Sequence, residues 1–421
     1  MGHTLAEKLL ASHTNDGKAA AGDIIEASID LLMVHEVLGS RILDILAEMD
    51  FKKVWDPERI VVVNDHWAPA SDINSAEIHR RNRNFVRDQG IKHFFDVQCG
   101  ISHHVLPEKG LVAPGEVIVG SDSHSTTYGA FNAFSTGLAA TDSALILATG
   151  SCWFRVPESI KISISGEFQE RVMSKDLILK ILSDLGPDGA NYQSIEFHGD
   201  TIENMKVGER MTMCNMSVEA GAKCSPMTVN EHVQKWMDTL APSKKWKQVL
   251  PDKDAEYVDS REYDIRKRKL EPMVAIPDLP TNGKPVQEVE GIPIDQAFIG
   301  SCTNGRIQDL KIAAKILEGK KIREGVRLIV TPASKHTYMM ALERGYVKIF
   351  MDAGGIVTNS TCGACVGGHL GVLGAGEVCI SSTNRNFKGR MGHRNSRIYL
   401  ASPATVAASA LKGAITDPRS V

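Results

Sequence analysis

Apolar residues along this chain recur in two alternating rhythms. Short continuous runs rich in β-branched residues appear as Arg59-Ile-Val-Val-Val-Asn64, Glu116-Val-Ile-Val-Gly120, Gln296-Ala-Phe-Ile-Gly300, Arg327-Leu-Ile-Val-Thr331 and Glu377-Val-Cys-Ile-Ser381. Runs this short, closed by Asn, Gly, Thr or Ser, predict buried strands. Helical spacing lies between them: from Ile307 to Glu318, the residues Leu310, Ala313, Ala314 and Leu317 share one face, which predicts a packing helix. Strands alternating with helices give an α/β class.

The rhythm also divides the chain. Lys161-Ile-Ser-Ile-Ser-Gly166 opens a segment with its own strand and helix signals, and a stretch from about Ser243 to Val289, rich in Lys, Asp, Glu and Pro, predicts a solvated connection with room for a surface helix. The expected domains are therefore 1–155, 156–289 (the second domain plus its connecting segment) and 290–421. No repeat of solenoid length occurs, and the first and last domains are compatible with one sheet plan.

Composition narrows the class of partner. The 421 residues carry a net charge of −3 with 24% charged side chains, which presents no large basic field to nucleic acid. No apolar stretch is long enough to cross a bilayer, and the N-terminal Met1-Gly-His-Thr-Leu-Ala-Glu-Lys8 has no signal-like apolar core, so a cytoplasmic protein with no membrane partner is expected. Eight cysteines in a chain this long fit a reducing compartment.

Three of those cysteines stand apart. Cys302 lies in Gly300-Ser-Cys-Thr-Asn-Gly305, and Cys362 and Cys365 lie in Thr361-Cys-Gly-Ala-Cys-Val366. Alone, a C-x-x-C pair reads equally as a redox pair, half a zinc site or two core residues. Both motifs follow short apolar runs, here Gln296–Ile299 and Gly355–Thr358, which sets all three thiols beyond strand ends, where open α/β sheets bind ligands. Closed structural zinc and iron–sulfur sites take four protein ligands, so three thiolates leave a metal position open. Cys99, Cys152, Cys214, Cys224 and Cys379 occur singly and read as small core hydrophobes.

Acids, histidines and glycines gather at other element ends. Asn64-Asp-His-Trp-Ala-Pro69 and Gly120-Ser-Asp-Ser-His-Ser125 each follow a strand, and a Gly-rich helix start is expected from Tyr128 to Thr141, with free N–H groups for an anion. His103 and His104 lie in Cys99-Gly-Ile-Ser-His-His-Val105. Asn215 and Glu219 stand four apart, one helix face if that segment is helical. Ser382-Thr-Asn-Arg-Asn-Phe-Lys-Gly-Arg390 puts Arg385 and Arg390 after a strand, where planar guanidinium forks suit carboxylates.

In order, Val34-His-Glu36, Asp65-His66, Gly100-Ile-Ser-His103, Gly120-Ser-Asp-Ser-His124, Glu196-Phe-His-Gly199, Cys214-Asn-Met216 with Glu219, Ser301-Cys-Thr-Asn304, Cys362-Gly-Ala-Cys365 and Asn384-Arg-Asn-Phe-Lys-Gly-Arg390 span nearly the whole chain. This series resembles the aconitase superfamily, most closely the large subunits of its two-subunit isopropylmalate dehydratases. The resemblance implies three α/β/α domains with mostly parallel sheets around a central cluster site, lacking the swivelling fourth domain. It implies a [4Fe-4S] cluster on Cys302, Cys362 and Cys365, whose unligated iron acts as Lewis acid on a hydroxy-acid substrate. It pairs Asp65 with His66, Asp122 with His103 and Glu219 with His124, and makes His66 the general acid. His35, Ser123, Asn215, Asn384 and Asn386 would bond substrate or cluster, and Arg385 and Arg390 would clamp carboxylates.

The implied activity is a hydro-lyase interconverting 2-isopropylmalate and 3-isopropylmalate by dehydration and rehydration in leucine biosynthesis. The chain ends at Val421 without the final domain that carries the family's serine base, so the resemblance implies a small-subunit partner supplying that serine and further substrate contacts. One departure concerns substrate: Val37-Leu-Gly-Ser40 stands where that family has a Val-Thr-Ser-Pro-like segment, so Leu38 replaces a hydroxyl. The same chemistry on homoaconitate, citraconate or 2,3-dimethylmalate is the alternative. Further off are a cluster-free RNA-binding form and a non-catalytic zinc protein completed by a histidine.

Overall fold

A computed structural model of the chain describes residues 2–267 and 269–421; Met1 of the N-terminal reading and Arg268 of the polar connection lie outside them. Two parallel sheets dominate, and they follow one plan. In the first, the strands Leu31–His35, Ile60–Val63 and His93–Phe95 are laid outward in one direction, and Val117–Gly120 and Phe134–Gly137 are then added on the other side of Leu31–His35. In the last, Gln296–Ile299, Arg327–Val330 and Ile356–Val357 run outward, and Val378–Ser381 and Arg397–Ala401 return on the other side. Each sheet therefore has a switch point beside its first strand, and loops diverging there leave a crevice at the carboxyl ends. The crossovers are helices such as Ile307–Leu317, whose Leu310, Ala313, Ala314 and Leu317 are buried as its spacing predicts.

Between them lies a smaller parallel sheet of Asp259–Asp264, Ser159–Ser165 and Ser194–His198. Asp259–Asp264 falls inside the stretch expected to be a solvated connection, and Met273–Ala275 and Gly283–Pro285 join the last sheet antiparallel, ahead of the boundary expected at 290. These strands are short and largely at sheet edges, where one polar row faces water, so their composition reads as linker. The segment 128–141 also departs from expectation. Ser123–Phe131 is a tight 3-10 coil, Asn132 turns the chain at φ +64°, Phe134–Gly137 is a strand, and the helix begins only at Ala140.

The two large sheets meet with their carboxyl ends face to face. Backbone bonds stitch them: Ile101 N–H donates to Ala333 O at 2.8 Å and Lys335 N–H to Cys99 O at 3.0 Å. Gly100 makes this approach possible, because at φ +108° a Cβ there would lie 2.5 Å from Ser334 Cα. Among the described residues, no helix is long and apolar enough to cross a membrane.

Candidate active site

The opposed strand ends bring one set of side chains from each sheet into a common buried space. From the last sheet, Cys302 follows Gln296–Ile299, the pair Cys362 and Cys365 follows Ile356–Val357, and Asn384 follows Val378–Ser381. All three cysteines are buried and free of disulfides. Asn384 Oδ1 lies 3.7 Å from both Cys302 Sγ and Cys365 Sγ, and Asn215 Nδ2 donates to Cys302 Sγ at 3.2 Å. The residue before Cys302 is held out of the ordinary range: Ser301 has φ +80°, sparsely populated for a side chain with a Cβ, and its hydroxyl faces Cys365 Sγ at 3.5 Å. Ile101, Ala333 and Val366 form an apolar shell around Cys302 and Cys362.

From the first sheet come the acids and imidazoles. Asp65 and His66 follow Ile60–Val63, and Asp65 Oδ1 pairs with His66 Nδ1 at 2.7 Å while Oδ2 accepts the Ser102 N–H at 2.7 Å. Asp122 follows Val117–Gly120 and is a hub: its carboxylate lies 3.0 Å from His103 Nε2, 3.6 Å from His66 Nε2 and 3.4 Å from His124 Nδ1. His124 Nε2 meets Glu219 Oε1 at 2.8 Å, and Glu219 also receives Arg385 Nε at 2.8 and 3.1 Å. The three expected carboxylate–imidazole pairs are thus all in contact.

Charge within this group is sorted by environment. Burial works against a cationic His66, but the neighbouring Cys362 sulfur, Asp65 and Asp122 overcome it and raise its pKa well above the ordinary value. His35 stacks on the same ring, centroids 4.6 Å apart, and there burial and the adjacent His66 charge push its pKa down. The His35 bonds agree with a neutral ring, since Nδ1 accepts the Val37 N–H at 3.1 Å and Nε2 points at Ser121 O at 2.9 Å. Burial opposes ionisation of Asp122, yet His103, His124 and His66 hold it well below the carboxylate range. The two stacked imidazoles are thus shifted in opposite directions, one toward its charged and the other toward its neutral form.

The donor set also fits an iron–sulfur group. Three buried thiols from two loops converge, Asn215 and Asn384 aim amide donors at Cys302 Sγ, at 3.2 and 3.4 Å, and such N–H groups stabilise thiolate sulfur. Burial pushes the Cys302 thiol up to about 11, with Cys365 adding to it, so a deprotonated set needs the positive charge of a metal.

Some expected residues sit elsewhere or differently. Asn386 donates from Nδ2 to Ile276 O at 2.8 Å, tying the antiparallel strand Met273–Ala275 to its sheet, so it is not brought to the cysteines or imidazoles. Arg390 Nε holds Cys365 O at 2.9 Å, and Arg385 is engaged by Glu219; in both, the Nη groups make no protein hydrogen bond among the described residues. Glu219 stands not in the helix Val207–Ser217 but in the 3-10 turn Val218–Ala220, so Asn215 faces Cys302 while Glu219 faces His124. Ser123 is half-buried and, with Leu38, Asp122, Tyr192 and Lys223, borders an open cleft of about 460 Å³. Glu196, from a motif quoted above, lies outside the site, holding Leu5 N and Tyr257 Oη at 2.7 and 3.0 Å.

Other buried groups gain their place only in three dimensions. Lys175 Nζ donates to Thr383 O at 2.7 Å and Ser382 O at 3.1 Å, and burial pushes its ammonium down to about 7. Arg306 Nη2 and His104 Nε2 hold Cys302 O at 2.8 and 3.0 Å, and Tyr128 Oη meets His103 Nδ1 at 3.2 Å. Glu36 receives the amides of Asp65, His66 and Trp67. Each acts through backbone or through a neighbour, and nothing in local spacing announces such partners.

Comparison with known proteins fits this arrangement. The model of the aconitase family (aconitate hydratase) matches residues 7–413. A 3-isopropylmalate dehydratase large subunit from Methanopyrus kandleri is 50% identical over 100% of this chain and 99% of its own. One from Aquifex aeolicus is 49% identical over 100% and 98%, and a probable methanogen homoaconitase large subunit from Methanothermobacter thermautotrophicus is 48% identical over 99% and 97%. The crystal structure of aconitase X from Thermococcus kodakaraensis shares the fold at TM-score 0.50 and 12% identity, covering 88% of this chain and 87% of that one. With matched residues running almost end to end, this chain belongs to the aconitase family.

Proposed function

We propose that this chain is the large, cluster-carrying subunit of a hydro-lyase that interconverts 2-isopropylmalate and 3-isopropylmalate in leucine biosynthesis, working in a reducing, cytoplasmic compartment. The observation that carries the hydro-lyase reading is that Cys362 lies with Asp65 and His66, and His66 with Asp122, while Asn384 lies against both Cys302 and Cys365 at the opposed sheet ends. The substrate assignment rests on full-length identity to relatives of that name.

Cys302, Cys362 and Cys365 would hold a [4Fe-4S] cluster, which supplies an iron Lewis acid when bound. His66, kept cationic by Asp65 and Asp122, holds a proton at Nε2 for the oxygen of the departing hydroxyl and recovers it on rehydration. Neutral His35 fixes the ring plane by stacking. The Nη groups of Arg385 and Arg390 offer donors to substrate carboxylates, and Glu219 orients the first of them. Asn215 and Asn384 hold Cys302 Sγ, and Ser123 presents its hydroxyl at the cleft. His103 and His124 fix Asp122 in its ionised form. The proton on carbon would leave to a serine of the small subunit, which also completes the substrate contacts.

The second reading is homoaconitate as substrate, favoured by the relative so named at 48% identity. The test is to reconstitute the chain anaerobically with its small subunit and follow the conjugated alkene by ultraviolet absorbance. Higher kcat/KM on isopropylmalate than on homoaconitate supports the assignment; the reverse order transfers it to the second reading, and no turnover on either removes both.

A further inference from the structure

Glu36 is wholly buried, opens the helix Glu36–Glu48, and is the next residue after the strand that ends the first sheet's switch point. Its carboxylate accepts three successive backbone amides: Asp65 N–H on Oε2 at 3.0 Å, and His66 N–H at 2.6 Å and Trp67 N–H at 2.9 Å on Oε1. The carbonyls of the same loop are taken from the opposite side by the other sheet. Asp65 O accepts Cys362 N–H at 2.9 Å and Thr361 Oγ1–H at 2.8 Å, and His66 O accepts Gly363 N–H at 3.3 Å. The loop is therefore clamped, amides to Glu36 and carbonyls to the cysteine loop.

We propose that Glu36 is a positioning residue that sets the separation between the His66 ring and the Cys362 loop, so that one buried carboxylate registers the acid and the thiol against each other. The proposal rests on the hydro-lyase reading for the meaning of that separation. Among the described residues, these three amides have no acceptor other than Glu36. His79 Nε2, which has no hydrogen-bond partner among the described residues, lies 3.8 Å from Oε1, and His66 Nδ1 lies 3.9 Å from Oε2. A glutamine of the same shape offers one oxygen and turns an NH2 group toward amides that are themselves donors, so at least one clamp bond becomes a donor–donor clash.

The test compares the parent, Glu36→Gln and Glu36→Asp, each reconstituted anaerobically. The first readout is the rate of iron loss on mild oxidation, normalised to folded protein by circular dichroism; the second is the kcat and KM of the complex with the small subunit. Because a shift of the loop by about 1 Å misaligns a reacting group, kcat should fall about 100-fold in Glu36→Gln while KM stays within about threefold. Iron should leave about tenfold faster, as when a hydrogen bond behind a metal ligand is lost. Glu36→Asp, which keeps the charge but shortens the reach, should lie between the two and serves alone if Glu36→Gln is not recovered folded. Iron-loss rates and kcat within twofold of the parent, with only a lowered melting temperature, would overturn the proposal. If the parent turns over no substrate, the functional reading fails, and the iron-loss comparison still decides Glu36.

Discussion

Asp65 divides its two oxygens between the His66 ring and the Ser102 amide, and a residue so fully committed tolerates no change of donor pattern. In Asp65→Asn one oxygen becomes an NH2 that must face either His66 or the Ser102 N–H. With the imidazolium partner also gone, kcat of the assembled enzyme should drop about 100-fold or more, with circular dichroism unchanged. Cys362→Ser should abolish iron retention while the fold survives, read by iron content per chain; unchanged iron content would remove Cys362 from the ligand set. The identities of most side chains brought together were legible in the motifs, because reactive residues cluster at strand ends in sequence as in space. Glu36, Lys175 and His104 were opaque as partners, since each bonds a backbone atom tens to hundreds of positions away, and Arg306, only four residues from Cys302, bonds a carbonyl that no side-chain pattern announces. Asn386, two residues from Asn384, spends its Nδ2 on the carbonyl of Ile276, a partner more than a hundred positions away that the motif does not announce.

Among the elements, the helix Ser174–Leu185 shows how a single carboxyl can hold two pieces together. Asp176 accepts Met173 N–H at 2.8 Å, capping its own helix, and Met273 N–H at 2.9 Å, fastening an antiparallel strand of the last sheet. Asp176→Ala should lower unfolding stability by about 1–2 kcal/mol, measured by denaturant titration at about pH 5. The sign of its pH dependence follows from burial, which raises the carboxyl from 3.8 to about 7. The folded state favours the neutral form, so its contribution is complete below about pH 3.8 and declines as pH rises through about 7. The gap between parent and Asp176→Ala should therefore narrow toward about pH 8; a gap that widens would contradict the assignment. The buried strands were readable because both faces are covered and the apolar runs are unbroken. Asp259–Asp264 was not, because a half-buried edge strand of charged residues has a linker's composition.

On the scale of the whole molecule, the shared strand order of the two large sheets explains why the site lies where it does: two switch points are set mouth to mouth, and each contributes what the other lacks. The first supplies Asp65, Asp122 and the imidazoles, the last supplies thiols and guanidinium groups, and the turn after the helix Val207–Ser217 adds Glu219. If the base resides on the small subunit, the chain alone should retain iron yet turn over at about one-hundredth of the rate of the complex or less, recovered by adding that subunit. With a net charge of −3, binding of a generic RNA should be undetectable in a salt titration from low ionic strength. The pairing of strand order between the ends of the chain was only faintly legible, since topology depends on which neighbour each strand selects, and no local signal carries that choice.

The stitching of Asp65 and His66 to the Cys362 loop means that the thiols of the last sheet and the acids of the first are fastened by the protein's own backbone. Closure of the two lobes therefore draws on these bonds, and a metal on the thiols adds its own binding energy to a loop already fixed in place. A protease should accordingly find 65–67 and 361–363 sheltered as one unit, the two segments guarding each other's backbone.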